Sequence, residues 1–314
     1  QMDLHHAGLR GLHRIGQRHR GMRVGARVQD DAGPRQSRIL HEGDELARGE
    51  GRDRGVDVGV GARGVARGPR AVRRVGAGVA REPDDRVAVL LDLLAEVLAS
   101  PECPDLVGLL GAVVAIPGLM DAERHRVVWA PNLDVAGEEL GDRLAALLGA
   151  SVTVLLDNDA SCAAYGERWH GAARGSANAL YLTGTVGISA GIVADGRVLR
   201  GAAGNAVEVG HVPLGRPGAR CGCGRTGCWE TAVGLSAMLA AVGAEESGTP
   251  VESAEAVALR AVEVPSVRAG LEAVAEDLAR GLAVLVSVVD PEVVVLGGYF
   301  GALTEHLLRP ASDR

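Results

Sequence analysis

Short apolar runs closed by turn residues alternate with amphipathic stretches from about residue 87 onward, and this alternation limits what the chain can fold into more than any other feature. Arg86–Leu98 has apolar residues at helical spacing, and Leu106–Ile116 is a buried-strand pattern closed by Pro117-Gly118. Glu138–Leu148 predicts a second helix. Val152–Leu156 predicts a short strand that runs through Asp157-Asn158-Asp159-Ala160 into a helix over about Ser161–Trp169. Asn178–Gly184 and Gly187–Ala194 predict strands, and Asp195-Gly196 is a hairpin turn, since both residues tolerate positive φ. Val198-Leu199 would be the return strand. Thr231–Val242 predicts a helix, as does Ser266–Val289, introduced by Pro265 and stopped by Asp290-Pro291. Glu292–Leu296 predicts a final strand before Gly297-Gly298. Alternating strands and helices indicate an α/β fold with a largely parallel sheet, made mixed by the hairpin.

Residues 1–86 do not share this texture. The basic residues number 33, all arginine, and 18 of them lie in this stretch against 12 acids, giving it +6 while residues 87–314 carry −13. The first aromatic residue is Trp129. Gly59–Gly68 shows neither a two-residue nor a 3.6-residue period, so the segment is expected to be irregular. Three readings stand together. The stretch is a basic arm touching nucleic acid, a poorly patterned domain, or a misframed start in a GC-rich gene, because shifted GC-rich codons give largely Arg, Gly, Ala, Val and Pro. The acidic body repels phosphate, so any DNA contact is expected in residues 1–86 or in sequence lost from them. No run approaches the ~18 apolar residues a membrane span needs. No basic-then-apolar leader opens the chain, which makes a cytoplasmic protein the expectation.

Three of the five cysteines fall in Cys221-Gly222-Cys223-Gly224-Arg225-Thr226-Gly227-Cys228, with His211 ten residues upstream. Three thiolates and an imidazole suit tetrahedral Zn2+, and the glycines let the loop curl so that the sulfurs converge. The alternative is a flexible loop of free thiols, which would be prone to oxidation. Four protein ligands leave no open position, so the expected zinc is structural. Cys103 and Cys162 lack such partners and read as small buried or incidental residues.

Carboxylates flank the cluster. Glu208 lies three residues before His211 and Glu230 two after Cys228. Carboxylates accept hydrogen bonds from hydroxyls, which makes a polyol or sugar a natural ligand; each glutamate alone also fits a solvated surface position. Asp157-Asn158-Asp159 ends a strand and opens a helix. Asp159 suits a helix N-cap with an acidic first turn. Equally, the carboxyl ends of strands in open α/β sheets bind ligands, and an Asp there can take a proton from a substrate hydroxyl.

Taken together, Leu156–Ala160, Val207-Glu208-Val209-Gly210-His211 and Cys221–Glu230 resemble the ROK family (repressor, open reading frame, kinase). Ala115–Gly118 and Ala130–Leu133 are supporting words, and the resemblance runs from about residue 87 to 304. It implies an actin-like ATPase (hexokinase-like) fold of two α/β lobes around a sugar cleft. The implied organisation is an irregular stretch over 1–86, the rest of an N-terminal lobe over 87–135, and a C-terminal lobe with the zinc loop over 136–314. His211, Cys221, Cys223 and Cys228 would hold zinc. Asn132, Asn158, Asp159, Glu208, His211 and Glu230 would line the sugar pocket, and in kinase members the Asp matching Asp159 is the catalytic base.

The family divides into sugar kinases and sugar-responsive transcriptional regulators. Kinases need two phosphate-binding glycine loops. Asp57-Val58-Gly59-Val60-Gly61 only echoes the first, and the second reads Thr185-Val186-Gly187-Ile188-Ser189, with Val186 where the backbone should approach phosphate, or, slipped by one residue, keeps Gly184-Thr185 and loses the rest. Gly184, Thr185, Gly187, Gly297 and Gly298 are the remaining candidates for nucleotide contact. The departure favours a carbohydrate-sensing repressor, expected as a homodimer, with sugar biasing lobe closure. A sugar kinase using ATP and Mg2+ is the alternative, and a damaged, inactive member a further one. The regulator branch also carries a winged helix-turn-helix. Gly33–Arg38 only faintly resembles its start, and no recognition helix is legible. The family also continues beyond Gly297-Gly298 with helix, strand and helix, whereas this chain ends at Arg314.

Overall fold

The computed structural model describes residues 111–121, 126–130, 135–149 and 152–307, together with three short earlier strands and scattered helical positions between 88 and 99. The chain divides into two compact units: Asp30–Asn158, and Gln1–Gln29 with Asp159–Arg314.

Before residue 87 the described residues form three short strands. They are β1 (Arg23–Ala26), β2 (Gly55–Val60) and β3 (Ala71–Gly76). β2 and β3 pair antiparallel from Gly55↔Gly76 to Val60↔Ala71. Their Val-rich alternation with Gly and Arg is a strand signal too weak to separate from background composition. Asp57 to Val60 lies within β2; Gly61 and Gly33–Arg38 lie outside the described residues.

In the first unit, β4 (Gly111–Ile116), β5 (Leu119–Asp121), β6 (Arg126–Ala130) and β7 (Val135–Glu138) lead to α1 (Leu140–Leu148) and β8 (Thr153–Asn158). β4 and β8 pair parallel, while β5, β6 and β7 form an antiparallel sheet that the sequence reading missed. Ile116, Val127, Leu144, Val154 and Leu156 share one buried cluster, and Leu91 and Leu94 from the predicted first helix pack against it. The helix expected over Glu138–Leu148 begins at Leu140 instead, because Glu138 ends the strand Val135–Glu138.

The second unit starts with α2 (Asp159–His170), followed by β9 (Ala179–Gly184), β10 (Ile188–Ala194) and β11 (Arg197–Val198). After the loop region come α3 (Glu230–Val233), α4 (Leu235–Ala241), α5 (Pro250–Glu263), α6 (Pro265–Val289), β12 (Val293–Gly298), α7 (Tyr299–Ala302) and α8 (Thr304–Leu307). The single helix expected over Thr231–Val242 is two, because Gly234 adopts an extended backbone between them. α5 was not anticipated; Thr249 and Glu252 form a capping box at its start, with Pro250 in the first turn.

One mixed sheet organises this unit, in the order β1-β12-β9-β10-β11. β12 runs parallel to β9, β10 runs antiparallel to β9, and β11 pairs antiparallel with β10 through the predicted Asp195-Gly196 hairpin. Alternate residues serve opposite faces. Leu180, Leu182, Ile188, Ala190 and Ile192 join a large core with α4, α5 and α6, while Ala179, Val193, Val293 and Val295 pack with Ala164 of α2. Gly191 decides how close α2 comes, since a Cβ there would collide with the Ala160 carbonyl and the Ala164 methyl. That contact seats Asp159, the first residue of α2, over the sheet.

Candidate metal centre and its carboxylate neighbours

Between β11 and α3 the chain makes two tight structures that the core holds in place. The first is a 3-10 turn over Val209–His211, seated on β10 because Gly210 has no Cβ to strike the Ile188 carbonyl. The second is the cysteine knuckle. Cys221 N donates to Arg225 O at 2.9 Å, Gly224 N to Cys221 O at 3.0 Å, and Gly227 N to Ala219 O at 2.9 Å. Gly224 and Gly227 have φ of 86° and 73°, which this curl requires. Trp229 anchors the knuckle: it is fully buried, its indole donates to Asp277 O at 3.0 Å, and it lies against Gly281, where a Cβ would overlap the ring.

His211, Cys221, Cys223 and Cys228 are thereby brought together, with ligand atoms all within 4.8 Å of one another. Cys223 Sγ and Cys228 Sγ are 3.7 Å apart, and Cys221 Sγ is 3.5 Å from His211 Nδ1. A tetrahedral ion with Zn–S of ~2.3 Å and Zn–N of ~2.0 Å would space two sulfurs by about 3.8 Å and a sulfur and nitrogen by about 3.5 Å. The donor set and its spacing fit a metal ion of that size. Cys162, by contrast, lies on α2, apart from this group in sequence, and Cys103 is outside the described residues.

The carboxylates expected beside the loop are there. Glu230 Oε1 accepts from the Cys221 thiol at 2.8 Å and lies 4.0 Å from His211 Nδ1. Glu208 Oε2 lies 3.9 Å from His211 Nε2. The imidazole therefore turns one nitrogen to the cysteines and the other to Glu208. Burial pushes the Glu208 carboxyl up; His211 opposes this, and the charges of Asp159 and Glu230 add to it. Asp159 is also pushed up by burial, against backbone hydrogen bonds that favour its charged form, including Ala160 N–H at 2.8 Å. Asp159 is the first residue of α2 rather than the cap before it. Burial raises the Cys221 thiol, reinforced by its bond to Glu230. Cys223 falls to about 6: burial opposes this, but hydrogen bonds from Arg225 and from the neighbouring thiols prevail.

Asn158 closes β8 in the first unit, and its amide donates to Gly118 O at 3.4 Å. Gly118 in turn fits closely against the Trp129 carbonyl and Ala130, so Ala115–Gly118 meets the first residue of Ala130–Leu133, whose other residues lie outside the described ones. Asn132 lies outside the described residues.

The five candidate nucleotide residues gather where β9 and β12 end. Gly184 and Gly298 are partners in the parallel ladder, as are Thr183 and Gly297. The fold itself accounts for their small size. A Cβ at 184 would enter the Tyr299 ring, one at 297 would meet the Tyr181 hydroxyl, and one at 298 would strike the Gly184 carbonyl. Gly187 sits beneath Glu230 Oε2, which would be 2.7 Å from a Cβ. Thr185 N donates to Gly187 O at 3.0 Å, and Val186 projects from this turn, 38% exposed.

Two features escaped the sequence reading. Arg225 Nε donates to Cys223 Sγ at 3.4 Å; its place two residues past Cys223 was the available signal. Val207 has φ of 73°, a backbone rarely adopted by a β-branched residue, directly before Glu208. Nothing in the sequence marks that strain.

A family model described as the ROK family matches residues 77–311. The xylose repressor of Caldicellulosiruptor bescii is 30% identical over 247 residues, covering 74% of this chain and 61% of the repressor. The glucokinase of Halalkalibacterium halodurans is 34% identical over 216 residues, covering 64% of this chain and 65% of the enzyme. The chain thus spans less than two thirds of the length of either relative. Among solved structures, a ROK family transcriptional regulator, homolog of the E. coli MLC protein, aligns with a TM-score of 0.64 at 25% identity, over 77% of this chain and 62% of that one. A ROK family glucokinase from Streptomyces griseus, in complex with glucose and AMPPNP, aligns with a TM-score of 0.63 at 24% identity, over 77% and 80%; this likeness shows the fold alone. The fold is the hexokinase-like, actin-like ATPase α/β fold.

Proposed function

The chain belongs to the ROK family, and from that premise we propose that it is a carbohydrate-sensing transcriptional regulator of repressor type, binding a sugar beside a structural zinc. His211, Cys221, Cys223 and Cys228 would hold Zn2+, whose work there is to fix the loop. Asp159, Glu208, His211 and Glu230 would accept and donate hydrogen bonds to sugar hydroxyls, with Asn132 and Asn158 as further candidates from the family resemblance. Asp159 and Glu230 are partly buried and Glu208 is exposed, so the first two would discriminate most, because a ligand lacking the matching hydroxyl leaves them desolvated and unpaired. DNA as the second partner, a homodimer and a cytoplasmic location belong to the same proposal.

The observation that carries the regulator reading is the β9–β10 turn. Val186 projects where a phosphate would need bare backbone, and Gly184, Gly297 and Gly298 are occupied by packing. The repressor relatives support it. The second reading is a sugar kinase, supported by the glucokinase relatives and by the raised carboxyl of Asp159, which suits a general base for a sugar hydroxyl. ATP with Mg2+ would supply the phosphoryl group, and Gly184, Thr185, Gly187, Gly297 and Gly298 are the candidates to face it. The test is a coupled assay of ADP release over a panel of sugars, run beside sugar binding. Binding without sugar-dependent ADP release is expected. ADP release that disappears in Asp159→Asn assigns the kinase, and a folded, zinc-loaded chain that neither binds nor releases is the inactive member.

A further inference from the structure

The knuckle that carries the cysteines also carries a cation. Arg225 Nε donates to Cys223 Sγ at 3.4 Å. Its backbone is fixed by the same turn, since Arg225 O accepts from Cys221 N at 2.9 Å while Gly224, at φ 86°, reverses the chain just before it. Arg220 and Thr226 pair across the base of this turn, so the departure point of the Arg225 side chain is set by the loop rather than by chance. A second sulfur has a backbone donor: Cys223 N lies 3.4 Å from Cys221 Sγ. Three thiolates and a neutral imidazole around a divalent ion leave an excess of negative charge on the sulfurs. A guanidinium is cationic at every working pH, and its planar N–H directs a charge-assisted hydrogen bond at one sulfur.

We propose that Arg225 is a positioning residue of the metal centre: through Cys223 it offsets the charge of the thiolate set and so governs how tightly the ion is held. The proposal rests on the cluster being a zinc site. Groups that hold a metal ligand from outside typically change affinity 10–100-fold when removed. Arg225 is exposed, where solvent screens the charge, so the expected loss is about tenfold, the lower end of that range. Its exposure also means that replacing it leaves the core intact.

The full chain is prepared with zinc as wild type, Arg225→Gln and Arg225→Lys. Metal content is measured by mass spectrometry and zinc affinity by competition with a chromophoric chelator. One zinc per wild-type chain is expected, with affinity lowered about tenfold in Arg225→Gln and by less in Arg225→Lys, which keeps the charge and loses the planar donor. Thermal unfolding of the zinc-stripped proteins should coincide. A wild type that binds zinc no more tightly than Arg225→Gln overturns the role of Arg225 alone. A destabilisation of Arg225→Gln that is the same with and without zinc overturns it too, as a merely structural effect. A wild type that takes up no zinc overturns the zinc site and this inference together.

Discussion

Two glycine-rich segments lie near one another in the same unit, and they use glycine for opposite ends. In the cysteine knuckle, Gly222 and Gly224 face open space, and Gly224 is needed for its left-handed backbone. The freedom goes into bending the chain until three sulfurs and an imidazole converge. Where β9 and β12 end, Gly184, Gly297 and Gly298 are hemmed in by Tyr299, Tyr181 and a neighbouring carbonyl. There the absent side chain is filled by the protein's own core. The same residue type therefore marks a chemical site in one place and tight packing in the other, and only surroundings separate the two.

The sharpest way to break this comparison is to alter the chemistry without touching the packing. Asp159→Asn keeps the volume and removes the charge. Sugar affinity should fall by about 10–100-fold, the worth of a charged hydrogen bond, measured by calorimetry. Stability should move the other way. Burial raises the Asp159 carboxyl above its ordinary 3.8, so ionisation costs more in the folded state than in the unfolded one. Wild-type stability therefore falls as pH rises through the folded pKa, a loss the variant avoids. The variant should melt higher than wild type at pH 7, and the gap should close as pH falls toward 3.8. A gap independent of pH would remove burial of the charge as its cause.

The next effect tests the packing directly. Gly298→Ala should cost about 2–3 kcal/mol, because the position combines a positive φ with a collision against backbone. Gly222→Ala should cost under ~0.5 kcal/mol, since nothing lies near it. Chemical denaturation of the two variants, with zinc present, separates them; equal costs would erase the distinction. A further small effect is a gain. Val207→Gly releases the left-handed backbone at φ 73° but loses the packing of its side chain against the core, so the chain should be stabilised by under ~0.5 kcal/mol. Sugar affinity should change little if Glu208 is held by the 3-10 turn after it, and weaken if the strained Val207 is what aims it.

What the sequence disclosed divides along the same line. The cysteine cluster was legible because ligand spacing is a local property of the chain, and the strands β8 to β10 because period and turn residues coincide. The split at Gly234 was not, since a single glycine does not by itself end a helix, nor were the roles of Gly184 and Gly298, since they depend on Tyr299 and on β9 and β12 lying side by side. β1 to β3 were hidden by composition: Val, Gly and Arg in alternation carry strand potential without a contrasting background. α5 was missed although its capping box and Pro250 were written in the chain, because its exposed Leu259 and Val262 blur the apolar face. Arg225 was in plain view, but whether an arginine beside a cysteine turns inward is decided by the backbone of the knuckle.

The central claim is that the metal cluster and the carboxylates Asp159, Glu208 and Glu230 form one functional unit, with His211 common to both. It is tested most directly by calorimetric titration of the full chain with a panel of pentoses and hexoses, zinc-loaded and after chelation. The account predicts one saturable site for at least one sugar in the loaded protein, and affinity at least about tenfold weaker once the ion is removed, the scale on which displaced supporting groups cost binding. Equal affinity in the two states, or no binding by the loaded protein to any sugar of the panel, would contradict it.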